Sequence, residues 1–155
     1  MKKEFMLRAI ELSRNNMQTN AGGPFGAVVV KDGKIIGEGW NKVTSSNDPT
    51  AHAEVTAIRD ACANVQNFSL DGAEIYTSCE PCPMCLSAIY WARINKIYYA
   101  NTRKDAAGIK FDDDFIYEEI PKEIAQRKIP MVQCAHDEAI QVFQEWENKT
   151  DKTPY

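Results

Sequence analysis

Apolar residues at positions 5, 6, 9, 10 and 12 recur with helical spacing. The N-terminal stretch MKKEFMLRAIELSRNN therefore predicts an amphipathic helix, with Phe5, Met6, Ala9, Ile10 and Leu12 facing a core. A glycine-rich turn, AGGPFG, ends it. Two β-prone runs follow, AVVV at 27–30 and KII at 34–36, joined around Asp32-Gly33, which predicts a hairpin. A polar loop over 41–47 leads into Asp48-Pro49-Thr50, where an aspartate N-cap and a proline at the first helical position predict a helix start. That helix continues through HAEVTAIRDACANV, with Ala53, Ala57 and Ala61, and Val55, Ile58 and Cys62, at helical spacing.

Residues 73–79 (AEIYTSC) predict a strand, a helix is expected from about Pro81-Cys82 to Trp91, and 96–100 (KIYYA) predict the next strand. Strand, helix and strand with short connections form a parallel βαβ crossover; added to the hairpin, they predict an α/β fold with a mixed sheet between helices. Residues 111–120 read as a short helix or loop, 129–134 as a last strand and 137–148 as a final helix. No repeat or linker splits the 155 residues, so one domain over 1–155 is expected.

Composition narrows the function. Hydrophobic residues make up 44% and charged residues 26%, an ordinary globular balance, and the formal charge of −4 lacks the broad basic footprint of a phosphate-gripping surface. Nucleic acid is thus disfavoured as a partner. No apolar run reaches membrane-spanning length, and Arg8 and Glu11 interrupt the only stretch resembling a signal peptide. A cytoplasmic location is expected. In a reducing compartment, five cysteines point to metal or catalysis rather than to a disulfide framework.

The clustered cysteines lie in CEPCPMC, and His52-Ala53-Glu54 lies thirty residues before the middle one. Cys82 and Cys85, spaced i, i+3, place both sulfurs on one helix face, and a helix N-terminus favours thiolates. One imidazole from His52 and two thiolates make a zinc site with a fourth position open to water, and Glu54 beside it suits proton transfer. Water activation beside a proton carrier fits hydrolytic removal of an amino group. Three evenly spaced thiols also suit an iron–sulfur cluster or a closed Cys3His zinc site. The cluster lacks a fourth cysteine at a familiar spacing, and the closed site leaves Glu54 without a role. Cys79 is a strand-end neighbour in this reading; Cys62 and Cys134 are core residues, the latter in the last strand.

HAE followed by PCPMC is the signature of the zinc-dependent nucleobase and nucleoside deaminases, the cytidine/deoxycytidylate deaminase superfamily, which this chain resembles along most of its length. The matching stretches are GGPFGAVVVKDGKIIGEGWN, SSNDPTAHAEVTAIR, YTSCEPCPMCLSAIYWAR and FDDDFIY. TSCEPCPMC, FDDDFIYEEI and a terminal tyrosine look most like the small bacterial guanine deaminases. The resemblance implies a three-layer α/β/α sandwich with a five-stranded mixed sheet. It implies one zinc ion per subunit on His52, Cys82 and Cys85, with Glu54 as proton shuttle and guanine hydrolysed to xanthine and ammonia. For the purine base it implies contacts from Asn41, Ala53, Phe25 and Trp91, and a second carboxylate at Asp113, the middle of three aspartates. It also implies a homodimer that exchanges the C-terminal segment, about 137–155, so that Tyr155 closes the partner's site.

The nearest rival is a tRNA adenosine deaminase, which shares the metal site but would need a basic C-terminal helix; DEAIQVFQEWEN has no Lys or Arg. A cytosine or nucleoside deaminase differs in pocket size. A zinc-stabilised interaction module would need the ligands but not Glu54.

Overall fold

The computed structural model describes residues 2–154. The chain falls into two compact units, Met1–Phe115 and Ile116–Tyr155. In the first, helix α1 (Lys3–Gln18) is followed by the hairpin β1 (Gly26–Lys31) and β2 (Lys34–Trp40), a short helix α2 (Val43–Ser46) and α3 (Ala53–Val65). Strand β3 (Glu74–Cys79), α4 (Pro83–Trp91), β4 (Lys96–Asn101) and α5 (Arg103–Gly108) complete the order up to α6 (Asp114–Glu119), which spans the boundary. The second unit adds a 3-10 turn (Ile124–Gln126) and α7 (His136–Asn148).

The hairpin turns as the sequence predicts. Asp32 and Gly33 both take positive φ, 52° and 73°, the backbone of the two-residue turn that suits the strand twist. The sheet order is β2-β1-β3-β4; β1 runs antiparallel to both neighbours, and β3 and β4 run parallel through the α4 crossover. Alternation along β1 separates two cores. Val28 and Val30 join Phe5, Leu12 and Tyr76 under α1, whereas Ala27 and Val29 join Ala53, Ala57, Ala61, Ile75 and Ile89 beneath α3 and α4. Helices thus cover both faces of the sheet.

The sheet of the described residues has four strands rather than five. The expected last strand, 129–134, is irregular and exposed, Val132 by 86%. Pro130, its second residue, carries no N–H for a ladder, and no strand is found among the described residues of the second unit. Cys134 accordingly is an exposed thiol, neither core nor strand. The start of α3 also differs from expectation. The Asp48 carboxylate accepts the Thr50 N–H at 2.8 Å and the Thr50 hydroxyl at 2.6 Å, closing a local turn, and α3 begins only at Ala53 with His52 as its N-cap. Three short elements had no counterpart in the sequence reading: α2, within the expected polar loop, the 3-10 turn, and α5, which opens on a Thr102–Asp105 capping box.

Glycines in β2 decide how closely α3 approaches the sheet. A Cβ at Gly39 would lie 2.2 Å from the Ala53 carbonyl oxygen and 2.3 Å from the Ala57 nitrogen; one at Gly37 would lie 2.5 Å from the Ala61 nitrogen. Both clashes are with helix backbone, which cannot swing aside. Gly39→Ala is expected to destabilise the fold by about 1–3 kcal/mol or more and to lower bound metal, because the displaced residue adjoins His52; thermal melting and metal analysis check both effects.

Candidate metal centre and catalytic site

Two helix starts meet at one place. His52 is the N-cap of α3 and Cys82 the N-cap of α4, each with extended backbone (ψ 159° and 168°), so both side chains project from the helix ends. Pro83 opens α4, and Cys85 follows as its third residue. His52 Nδ1 lies 3.5 Å from Cys82 Sγ and 3.5 Å from Cys85 Sγ, and the three donor atoms are all within 4.8 Å of one another. Tetrahedral zinc with Zn–N of ~2.0–2.1 Å and Zn–S of ~2.3 Å requires an N···S separation of about 3.6 Å. The donor set and its spacing therefore fit zinc, with Nδ1 as the nitrogen offered.

The protonation of these groups follows from their contacts. Cys82 is held down to about 4 by the Cys85 thiol, the His52 ring and the Cys85 N–H, so it is the thiolate of the pair. The same thiolate, followed by burial, pushes Cys85 up and is the leading reason that His52 is raised. Cys79 is different: its thiol faces the Thr102 carbonyl at 3.6 Å, and burial followed by the Glu54 charge lifts it to about 11. Cys79 stays outside the donor cluster, as the strand-end reading expects.

Glu54 is buried in the first turn of α3, and that burial raises its carboxyl above the ordinary range. Its Oε1 accepts the Thr77 hydroxyl at 3.0 Å; Thr77 opens the TSCEPCPMC stretch, but nothing in the sequence pairs it with Glu54. Ala53, between His52 and Glu54, is fully buried at the helix start.

Asn41 is also buried, and the backbone orients its amide. Oδ1 accepts the N–H groups of Gly23 and Val43, each at 3.2 Å, so the oxygen is committed and the NH2 is what the side chain offers as a donor. The Asn41 N–H donates to the Phe25 carbonyl at 3.1 Å, and the Lys42 N–H to Ala51 at 2.9 Å, which ties this loop to the residue before His52. Phe25 is half-buried and meets Phe111 edge-on at 5.0 Å between ring centroids. Phe111 leads directly into the three aspartates and was not singled out from sequence, although F-D-D-D was. Asp113 is raised, by burial first and the Cys82 charge second, and its own charge acts on His52.

Trp91 is not gathered with these residues. It ends α4, whose nine residues rise about 13 Å from the cysteine end, and it is 69% exposed beside Ser87, Tyr90 and Arg93. The spacing that brings Cys85 to the site carries the last turn of the helix away from it. Tyr155 lies outside the described residues.

Residues 1–101 match the model of the cytidine and deoxycytidylate deaminase zinc-binding region. The chain is 54% identical over 151 residues to a guanine deaminase of Bacillus subtilis, covering 97% of each protein. A crystal structure of guanine deaminase from Bacillus subtilis superposes with a TM-score of 0.97 at 53% identity, covering 100% of this chain and 99% of that one. A tRNA-specific adenosine deaminase of Aquifex aeolicus is 37% identical over 70% of this chain and 72% of its own length. Mutating the donors separates ligand from neighbour: His52→Ala and Cys82→Ser should abolish stoichiometric metal, while Cys79→Ser should retain it, as read by metal analysis of the purified proteins.

Proposed function

The chain belongs to the cytidine and deoxycytidylate deaminase zinc-binding family, and on that basis we propose that it hydrolyses guanine to xanthine and ammonia. The observation that carries this reading is the convergence of His52 Nδ1 and the two sulfurs at 3.5 Å beside the buried carboxylate of Glu54. Full-length similarity to the Bacillus subtilis guanine deaminase supports guanine over other bases. The tRNA-deaminase likeness covers a smaller share of this chain, and α7 has no Lys or Arg with which to hold RNA.

His52, Cys82 and Cys85 hold zinc in this proposal. When bound, zinc supplies Lewis acidity that makes water a competent nucleophile near neutral pH. Glu54 takes the proton released as water adds at C2 of the purine, and it delivers protons to the ring and to the departing amine. The balance is one water consumed and one ammonia released. Asn41 donates its NH2 to an acceptor on the base, Phe25 packs against the ring, and Ala53 lines its edge. Asp113 provides a second carboxylate for the proton-bearing side of guanine. Tyr155 closes the site of a partner subunit in this proposal, whereas Trp91, exposed at the far end of α4, has no part in it.

A homodimer that exchanges the segment 137–155 is the proposed assembly. It is supported by α7, in which no residue is buried and Phe143 and Trp146 stand exposed at helical spacing. No helix of the described residues is long and apolar enough to cross a membrane, in keeping with the proposed cytoplasmic location.

Ammonia release from guanine, guanosine, adenine, cytosine and an adenosine-bearing tRNA hairpin tests the substrate; turnover of RNA without turnover of free guanine overturns the proposal. Glu54→Gln should keep zinc and lower kcat by at least ~10²-fold, with full activity refuting the proton-carrying role. The native mass should be twice the 17.5 kDa of one chain. Deletion of Pro154 and Tyr155 should slow guanine turnover at unchanged metal content, and an unaltered rate would remove the lid.

A further inference from the structure

Thr77 lies in the middle of β3, 1% exposed, in the strand that leads into the cysteine motif. Alternation along β3 turns Ile75, Thr77 and Cys79 toward the layer of α3 and α4, while Tyr76 faces α1. Its hydroxyl donates to Oε1 of Glu54 at 3.0 Å, across twenty-three residues of chain, and both groups are buried. A buried hydroxyl must find an acceptor, and a buried carboxylate oxygen must find a donor. Here each supplies the other.

We propose that Thr77 is a positioning residue for deamination, holding one oxygen of Glu54 so that the other is aimed at the reacting water and the leaving amine. The inference rests on the assignment of Glu54 as the proton carrier. Three physical points lead to it. A glutamate side chain has three rotatable bonds, and proton transfer needs it in one conformation within hydrogen-bond reach of its target. A β-branched residue on a central strand is among the stiffest anchors available, since its χ1 is restricted by its own backbone. The sheet that carries the anchor is also the one that places Cys82 and Cys85, through β3 and the start of α4. One strand therefore sets both the metal donors and the orientation of the carboxylate, although Glu54 itself belongs to another helix.

The valine isostere separates this role from packing. Thr77→Val keeps the shape and removes the hydroxyl donor, leaving the Glu54 carboxylate only its contacts with its own backbone N–H and the Cys85 thiol. With guanine as substrate, kcat is expected to fall between about tenfold and a hundredfold, while KM changes by less than about threefold and zinc remains stoichiometric. Thr77→Ser, which keeps the hydroxyl, should recover most of kcat. A crystal structure of zinc-loaded T77V should show the Glu54 carboxylate rotated away from its wild-type position. The proposal is overturned if T77V retains kcat within twofold of wild type, if T77S is as slow as T77V, or if Glu54 is unmoved. Should T77V fail to fold, T77A against T77S decides by the same criteria. A wild-type protein inert toward guanine would sink the substrate assignment alone; the position of Glu54 in the T77V crystal structure would still decide the role of Thr77.

Discussion

The seating of α3 on β2 governs the rest of the molecule. Gly37 and Gly39 present bare backbone to Ala53, Ala57 and Ala61, so helix and strand approach more closely than side chains would allow. That closeness fixes the height of the helix start over the sheet edge and, with it, His52 and Glu54. The other half of the site hangs from β3, whose pairing with β1 and β4 locates Cys82 and Cys85 at the opening of α4. Three donor atoms within 4.8 Å require both placements to hold to a fraction of an ångström, and the small-residue contact is the less forgiving of the two.

Around that meeting point, burial and charge oppose each other. Burial lifts Glu54 and Cys79, while Cys82 is pulled down by the donors that surround it. The outcome is a carboxyl that readily carries a proton next to a sulfur that readily gives one up, within one first-turn cluster. A lowered thiol suits cation binding, and a raised carboxyl suits carrying a proton. The loops add direction: backbone donors consume the acceptor of Asn41, so its NH2 is the group the side chain offers.

The parts legible from sequence were those governed by local periodicity or by a dense motif. The hairpin followed from Asp32-Gly33, and the crossover from alternating β- and α-periods on either side of CEPCPMC. The convergence of His52, Cys82 and Cys85 was legible because two thiols and an imidazole at those spacings have few other uses. Long-range pairing was not. Residues 129–134 have strand-like composition, but a strand exists only with a neighbour, and Pro130 weakens what composition favours. Asp48 has the chemistry of a helix cap and spends it on Thr50 two residues later. Thr77 lies within TSCEPCPMC, but its contact with Glu54 was not legible because it is a hydrogen bond across the interior, and Trp91 misled because a motif on one turn of α4 says nothing of where its last turn points.

The caps of α3 and α4 have a further consequence. His52 and Cys82 have the backbone shape of N-caps; the His52 ring makes no bond to its own helix, and the Cys82 sulfur reaches only the thiol and N–H of Cys85. Both are turned toward a common centre, and the first turn of α3 lacks the local fastening that serine or aspartate would provide. A cation held there joins two segments thirty residues apart, as a removable pin would, closing the intervening chain into a ring and stiffening both helix starts at once. The candidate metal centre is thus also a joint of the scaffold, between the start of α3 and the start of α4.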